Sequence, residues 1–586
     1  MMRFAGPRRS REAWVALPLV SLFAACSVPA TEAASSPTVA ENTCSRDSDC
    51  SPGVCGAGRC VAAGTDLDPL ILEVVPPASS HFGAGDSFLV EIDNPSDRSR
   101  STARDITLPR YATVEARLVF EPQVWDVLSS TPECDQVRGA DGSMGVQVSV
   151  SRSGRPAGLP VWSSVATAKS GDGGWEFKLA LPADTYDLYL TLLNGCMLPP
   201  VWLRNVQFES GTYSHPAFKV PSLAELSGKI LLGDSVPLKD WTIRLIEPTS
   251  GLPISTTDEP LENFLLYYVP PGAGVTPLVQ IAPPQGVVAP TVLWDLSVVD
   301  LDNDGKVGLD LSRMTWSVTT VRARVEREAS SQGMAGASVL LRSKRLAGAP
   351  EGLTASWETT VRSNADGDIE AQLVPGDYQV VVTPESADDA MIEQTWTVAS
   401  EPAVQAGRVL TVGAARRVTG IAVEPQKGSA LSRSPVEIVP IAATPGILEI
   451  ALGAAASSPR SPTAETGSSG EFSLPVDPGL VALLVRTPEE SGFPWLVRSG
   501  IEVEVGETAD LDLGMLSATY PVTVEGTLRD PDGNLVQRAR LRAFGLVGAK
   551  GGVVAKGEPA RRALQVAETR SNESGRFRLL LPASVR

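Results

Sequence analysis

The densest run of side chains able to hold something is Asp300-Leu301-Asp302-Asn303-Asp304-Gly305-Lys306-Val307-Gly308-Leu309-Asp310. Asp300, Asp302 and Asp304 alternate, which puts three hard oxygen ligands on one side of a tight loop. Gly305 permits the sharp turn such a loop needs. Hard anionic oxygens in that pattern suit a hard divalent cation, calcium first. Lys306 and Asp310 complete the candidate set, while Leu311 stands where a closing bidentate acid is usual. The competing reading is an acidic turn between two strands. Elsewhere the chemistry is sparse. There are two histidines, His81 and His215, and neither has a His or Glu at zinc-ligand spacing. No Gly-x-Ser-x-Gly elbow occurs, and no Gly-x-x-x-x-Gly-Lys-Ser/Thr phosphate loop. The expectation is a protein that is not an enzyme.

The cysteines tell more. Arg3, Arg8, Arg9 and Arg11 precede an apolar run, Ala13–Ala25, that is too short to span a bilayer. Residues 1–25 therefore read as an export signal. The run ends Leu22-Phe23-Ala24-Ala25-Cys26, which resembles a bacterial lipobox, with Phe23 a departure from it. The resemblance implies cleavage before Cys26, acylation of its thiol, and a membrane partner reached through that lipid. Two or three acyl chains give stable anchoring where one gives marginal binding. Ser27, rather than Asp, favours the outer membrane by analogy with Gram-negative sorting. The other six cysteines form an even set in an exported chain, as disulfides require. Cys44, Cys50, Cys55 and Cys60 crowd into a Gly-, Ser- and Asp-rich stretch with almost nothing apolar to bury. Such a segment holds a shape only if cross-linked. A zinc site is the alternative, but no Cys-x2-Cys pair is present. Cys134 and Cys196 fall in one repeat and are expected to pair. Spacing does not settle the connectivity of the other four.

The elements that would carry these groups repeat. Five alternating segments open similar units: Ala112–Phe120, Ala224–Leu232, Val318–Val325, Arg417–Val423 and Val522–Leu528. Each has a small residue at a matching place: Ala116, Gly228, Ala323, Gly420 and Gly526. Alternation of this period marks strands with one buried face. Later in four of the units comes a Ser/Asn/Asp-Gly turn, a second alternating strand and a Pro- or Gly-containing turn, as in Ser363–Val382 and Ser571–Val585. Trp175, Ile369, Phe472 and Phe577 are expected to face inward on that second strand. The corresponding stretch of the second unit, Leu261–Ile281, is degenerate. Together these signatures resemble the carboxypeptidase regulatory-like domain, a transthyretin-like β-sandwich, with Tyr186 and Tyr378 at its closing tyrosine. The resemblance covers about residues 111–586. It implies a sandwich often attached to zinc carboxypeptidases, whose catalytic module is missing from this chain.

The reading is an all-β chain of tandem Ig-like or transthyretin-like sandwiches behind a short disulfide-rich segment. Its units are a signal (1–25), a linker with the Cys-rich knot (26–66), a partial β unit (67–110), and repeats at 111–222, 223–314, 315–413, 414–515 and 516–586. The partial unit looks like the closing strands of a sandwich and is expected to pack on the first repeat. The fifth repeat looks incomplete. Gly453–Gly470 reads as a mobile insertion. A length of 586 residues requires several cores. A net charge of −18 disfavours nucleic acid. The expected role is an anchored structural or adhesive rod with a protein partner. The alternatives are a polysaccharide-binding surface protein, for which Trp162, Trp202 and Trp357 are candidate platforms, and an accessory subunit of a separate hydrolase.

Overall fold

The computed structural model describes residues 53–582 except 63–69, 93–101, 121–145, 193–198, 232–239, 256–262, 269–275, 296–306, 442–459, 548–561 and some shorter loops. The described residues are strands joined by turns, with a short 3-10 turn at Glu489–Ser491. The architecture is all-β and built from repeated sandwiches.

The third repeat gives the pattern. Its opening strand Thr319–Arg327 buries alternate residues, Val321, Ala323 and Val325 facing in. That strand lies between Asp368–Leu373, antiparallel to it, and Val404–Val412, parallel to it. The facing sheet runs Glu358–Arg362, Ser338–Leu346, Gly376–Thr383, Ile392–Val398. The fourth repeat has the same order. Glu471–Val476, Arg416–Val423 and Leu511–Ser517 form one sheet. Thr463–Glu465, Pro435–Pro440, Gly479–Val485 and Leu496–Val503 form the other. The second repeat is irregular, as its sequence suggests. Its four-stranded sheet is completed by Leu353–Ser356 of the third repeat, paired with Thr291–Asp295. One buried core therefore runs through both repeats. In the first repeat Ser163–Gly171 pairs on both sides and joins the two layers into one sheet.

The fifth repeat departs from the expectation. Residues 67–110 do not form a layer on the first repeat. Leu70–Val75 inserts between Arg540–Val547 and Phe88–Ile92, while Thr102–Ala103 and Ile106–Thr107 run parallel to Pro521–Arg529. Each takes the place that a strand from later in the chain holds in the third repeat. The sandwich is thus completed by the start of the chain. Leu70, Leu72, Val74, Phe82, Phe88, Ile92, Ile106 and Leu108 share one core with Val522, Leu541, Phe577, Leu579 and their neighbours. The physical reason is edge pairing. Without these strands Arg540–Val547 and Pro521–Arg529 would each show an unpaired ladder over an open core.

Candidate functional site

The recurrent motif positions hold the sandwiches together. Each small residue of the opening strand stands directly opposite the large residue of the second strand: Ala116 opposite Phe177, Gly228 opposite Phe264, Ala323 opposite Ile369, Gly420 opposite Phe472 and Gly526 opposite Phe577. In the first repeat the place belongs to Phe177, two residues beyond Trp175. The Ser/Asn-Gly signature is a hydrogen-bonded clasp. The buried Ser363 hydroxyl donates to the Met334 carbonyl at 2.6 Å and accepts the Ala337 N–H at 2.9 Å. Ser571 does the same with Val536 and Ala539 at 2.8 and 2.9 Å. Thr466 repeats it with Leu431 and Ser434. Next to it, Asn364 Oδ1 accepts the N–H groups of Asp366 and Asp368, and Asn572 Oδ1 those of Ser574 and Arg576. Gly367, Gly470 and Gly575 then take positive φ of 85°, 80° and 66°, which glycine adopts without strain. Tyr186 and Tyr378 are fully buried, and their hydroxyls donate to Pro182 and Val374 carbonyls at 2.7 and 2.6 Å. Burial pushes the Tyr378 phenol far above its ordinary range.

The residues proposed to do chemistry are placed less fully. Asp300, Asp302, Asp304 and Lys306 lie outside the described residues, as do Cys26, Cys44, Cys50, Cys134 and Cys196. Asp310 is exposed at the end of the Val307–Asp310 strand, and its Oδ1 accepts the Ser312 N–H at 2.9 Å. Cys55 and Cys60 occupy opposite positions in a hairpin formed by Gly53–Gly56 and Arg59–Ala62. Among the described residues no three His, Cys, Asp or Glu groups gather at metal-binding distance. Of the tryptophans singled out, Trp202 is half-buried with the Arg204 guanidinium 4.5 Å from its ring centre. Trp357 packs on the shared core and donates from its indole N–H to the Gln372 carbonyl at 3.2 Å. Trp162 lies outside the described residues.

No family model matches the chain, and no curated protein does. Similar solved structures include pilins. A streptococcal ancillary pilin is 9% identical with a TM-score of 0.20, covering 70% of this chain and 99% of its own. The shaft pilin SpaA of Lactobacillus rhamnosus GG is 10% identical with a TM-score of 0.17, covering 34% of this chain and 97% of its own. A minor pilin of Streptococcus agalactiae is 12% identical with a TM-score of 0.20, covering 34% and 96%. Overlaps this small carry no inference about role.

The joints between repeats hold the polar groups that sequence reading missed. Tyr189 donates to the Pro253 carbonyl at 2.9 Å, tying the first repeat to the second, and burial pushes its phenol up to about 12. Arg460 pairs with the buried Asp477 and also reaches the carbonyls of Ser386 and Asp389 at 2.7 and 2.8 Å, tying the fourth repeat to the third. Arg152, itself buried, links the first repeat to Ser87 of the initial strands and pairs with Asp184 at 3.1 Å. Between the fourth and fifth repeats the outer sheet faces meet through Val439, Ile441, Ala482 and Leu484 on one side and Val547 and Leu564 on the other. A cleft of about 270 Å3 opens there, with the first repeat adding Leu159. Arg486, Arg542 and Arg562 line it, beside Glu437, Gln565 and the apolar Phe544. Arg486 follows the Gly479–Val485 strand while Arg542 and Arg562 lie on two neighbouring strands of the fifth repeat, and nothing in the sequence pattern brings them together.

Proposed function

We propose that this chain is a non-catalytic, lipid-anchored surface scaffold built from carboxypeptidase regulatory-like sandwiches, acting as a structural or adhesive body toward a protein partner. The observation that carries this reading is the use made of the recurrent motif residues. Ser363, Thr466, Ser571, Tyr186 and Tyr378 are buried and hydrogen-bonded within their own sandwich, and the large residues opposite each small one are buried in it. Side chains that recur for packing leave recognition to faces and joints that vary between repeats. The −18 charge keeps such a body soluble and repels phosphate backbones.

The anchor is tested by labelling the exported protein with a palmitate analogue. Label on the wild type, lost together with membrane sedimentation in Cys26→Ala, is the expected result. An unlabelled wild type in the soluble fraction would remove the anchor from the proposal. Calcium belongs to the same reading, as a stiffener of the joint between repeats two and three. With calcium added, the thermal midpoint of residues 27–586 should rise, since a ligand bound only by the folded state stabilises it by ~2.7 kcal/mol at a hundredfold excess over Kd. The rise should vanish in Asp302→Ala. No shift at millimolar calcium makes the loop an ordinary acidic turn.

A further inference from the structure

We infer that the cleft between the fourth and fifth repeats is an oxoanion-binding site, shaped for a ligand of about monosaccharide size that bears a carboxylate or sulfate group. The inference is independent of the lipid anchor. Its first support is local charge. The chain has 50 basic against 68 acidic residues, yet three guanidiniums and one carboxylate line this cleft. Its second support is unmet hydrogen bonding. The Nε atoms of Arg486 and Arg562 are buried and have no acceptor. A buried donor left unpaired is costly, so an acceptor that reaches it is favoured. Arg486 and Arg562 both line the cleft, and guanidinium forks of this kind match the paired oxygens of an oxoanion.

The arginines are also held in place, so little ordering is left to a ligand. Arg486 pairs with Glu437 and lies 5.2 Å from the Trp495 ring centre. Arg562 Nη1 donates to the Pro440 carbonyl across the joint at 2.6 Å. Arg542 pairs with the buried Glu73 and lies 5.8 Å from the Phe544 ring centre. Each guanidinium has five N–H donors, and these contacts leave some unused. Phe544, Val439 and Leu564 supply an apolar floor for a ligand body. A volume of about 270 Å3 admits one small ring and excludes a longer ligand from full burial.

The experiment is a thermal-shift titration of the full mature chain with sodium glucuronate and with sodium sulfate, against sodium chloride at equal ionic strength and against glucose. The expected result is a saturable rise with one or both oxoanions beyond chloride, and none with glucose. Glucuronate alone would point to a sugar carboxylate, and sulfate alone to a sulfate group. In Arg486→Gln/Arg562→Gln the apparent Kd should weaken about tenfold or more, as loss of charged hydrogen bonds predicts. Arg486→Lys, which keeps the charge and loses the Nε donor, should weaken it too and guards against a double variant that misfolds. Arg322→Gln, in an exposed pair on the third repeat, should change nothing. Failure of both oxoanions to exceed chloride, or an equal rise in the double variant, would overturn the site.

Discussion

At the residue scale, the small positions of the opening strands have a steric meaning. A Cβ built on Gly526 would lie 1.9 Å from the Arg104 carbonyl oxygen and 3.1 Å from the Phe577 ring. Arg104 belongs to the initial segment, whose N–H also donates to the Glu525 carbonyl at 2.8 Å. Glycine at 526 is what lets that segment lie against the strand. Gly526→Ala should therefore destabilise the fifth sandwich by about 1–3 kcal/mol, the range for overpacking a core. At Gly420 the nearest atom is the Phe472 ring at 2.8 Å, a less severe approach, and Gly420→Ala should cost less. Urea unfolding followed by hydrogen exchange in each repeat separates the two, and equal losses would contradict the argument. The clasp hydroxyls are a second case. Ser571→Ala leaves a buried carbonyl and a buried N–H unpaired, which costs about 1–3 kcal/mol each when nothing replaces the partner.

Glu73 shows how the same scale sets a pH response. It is fully buried, and burial pushes its carboxyl above the usual carboxylate range although Arg542 opposes this. A raised folded pKa means that the folded state binds the proton more tightly than the unfolded chain. Stability from this group therefore increases as pH falls through the folded value toward the ordinary one near 4.5. Ordinary paired carboxylates do the reverse, so the wild-type curve alone is ambiguous. The difference is not. Glu73→Gln should compare best with wild type at pH 7 and progressively worse toward pH 5, measured as the gap between their thermal midpoints. A gap that stays constant would show that Glu73 does not titrate differently in the two states.

At the element scale, much of the fold is legible in the sequence and the legible part has one cause. Strand alternation and turn chemistry act over a few residues, so Thr319–Arg327 and the Ser363–Gly367 clasp can be read directly from their letters. Pairing between distant strands is set by which edges remain open. Residues 67–110 read as closing strands from their sequence, but nothing near Leu70 says that its partner is Arg540–Val547. The arginine cleft was invisible for the same reason, because Arg486 and Arg562 meet only when two sheets stack. Deleting residues 67–110 tests the pairing. The fifth sandwich loses eight buried core residues from that segment and one central strand. Protection of Pro521–Pro582 amides from hydrogen exchange should fall to that of an unfolded chain. The third and fourth repeats, which complete their own sheets, should keep theirs.

At the scale of the whole molecule, the five sandwiches are not strung between two free ends. Strands from residues 70–107 share sheets with the last strands, so the chain returns on itself and the last repeat lies beside the first. Arg152 to Ser87 and Leu159 to Phe544 fasten that return, and the stacked faces of the fourth and fifth repeats fasten its other side. An extended rod with a distant tip is thereby replaced by a body that closes where Leu70–Val75 joins the last sandwich. The arrangement has a sequence-specific consequence. Arg110 and Asp532 are both exposed and pair at 2.5 Å, although 422 positions separate them. Exposed pairs contribute little energy, about 0–1 kcal/mol, so replacing Arg110 leaves the fold standing. A photo-cross-linking residue at position 110 should then capture a peptide containing Asp532 within the same chain, identified by mass spectrometry at nanomolar protein. Capture that appears only as protein concentration rises would mean that the closing strands come from a second copy. Capture of first-repeat peptides alone would return residues 67–110 to the first sandwich and the molecule to an open rod.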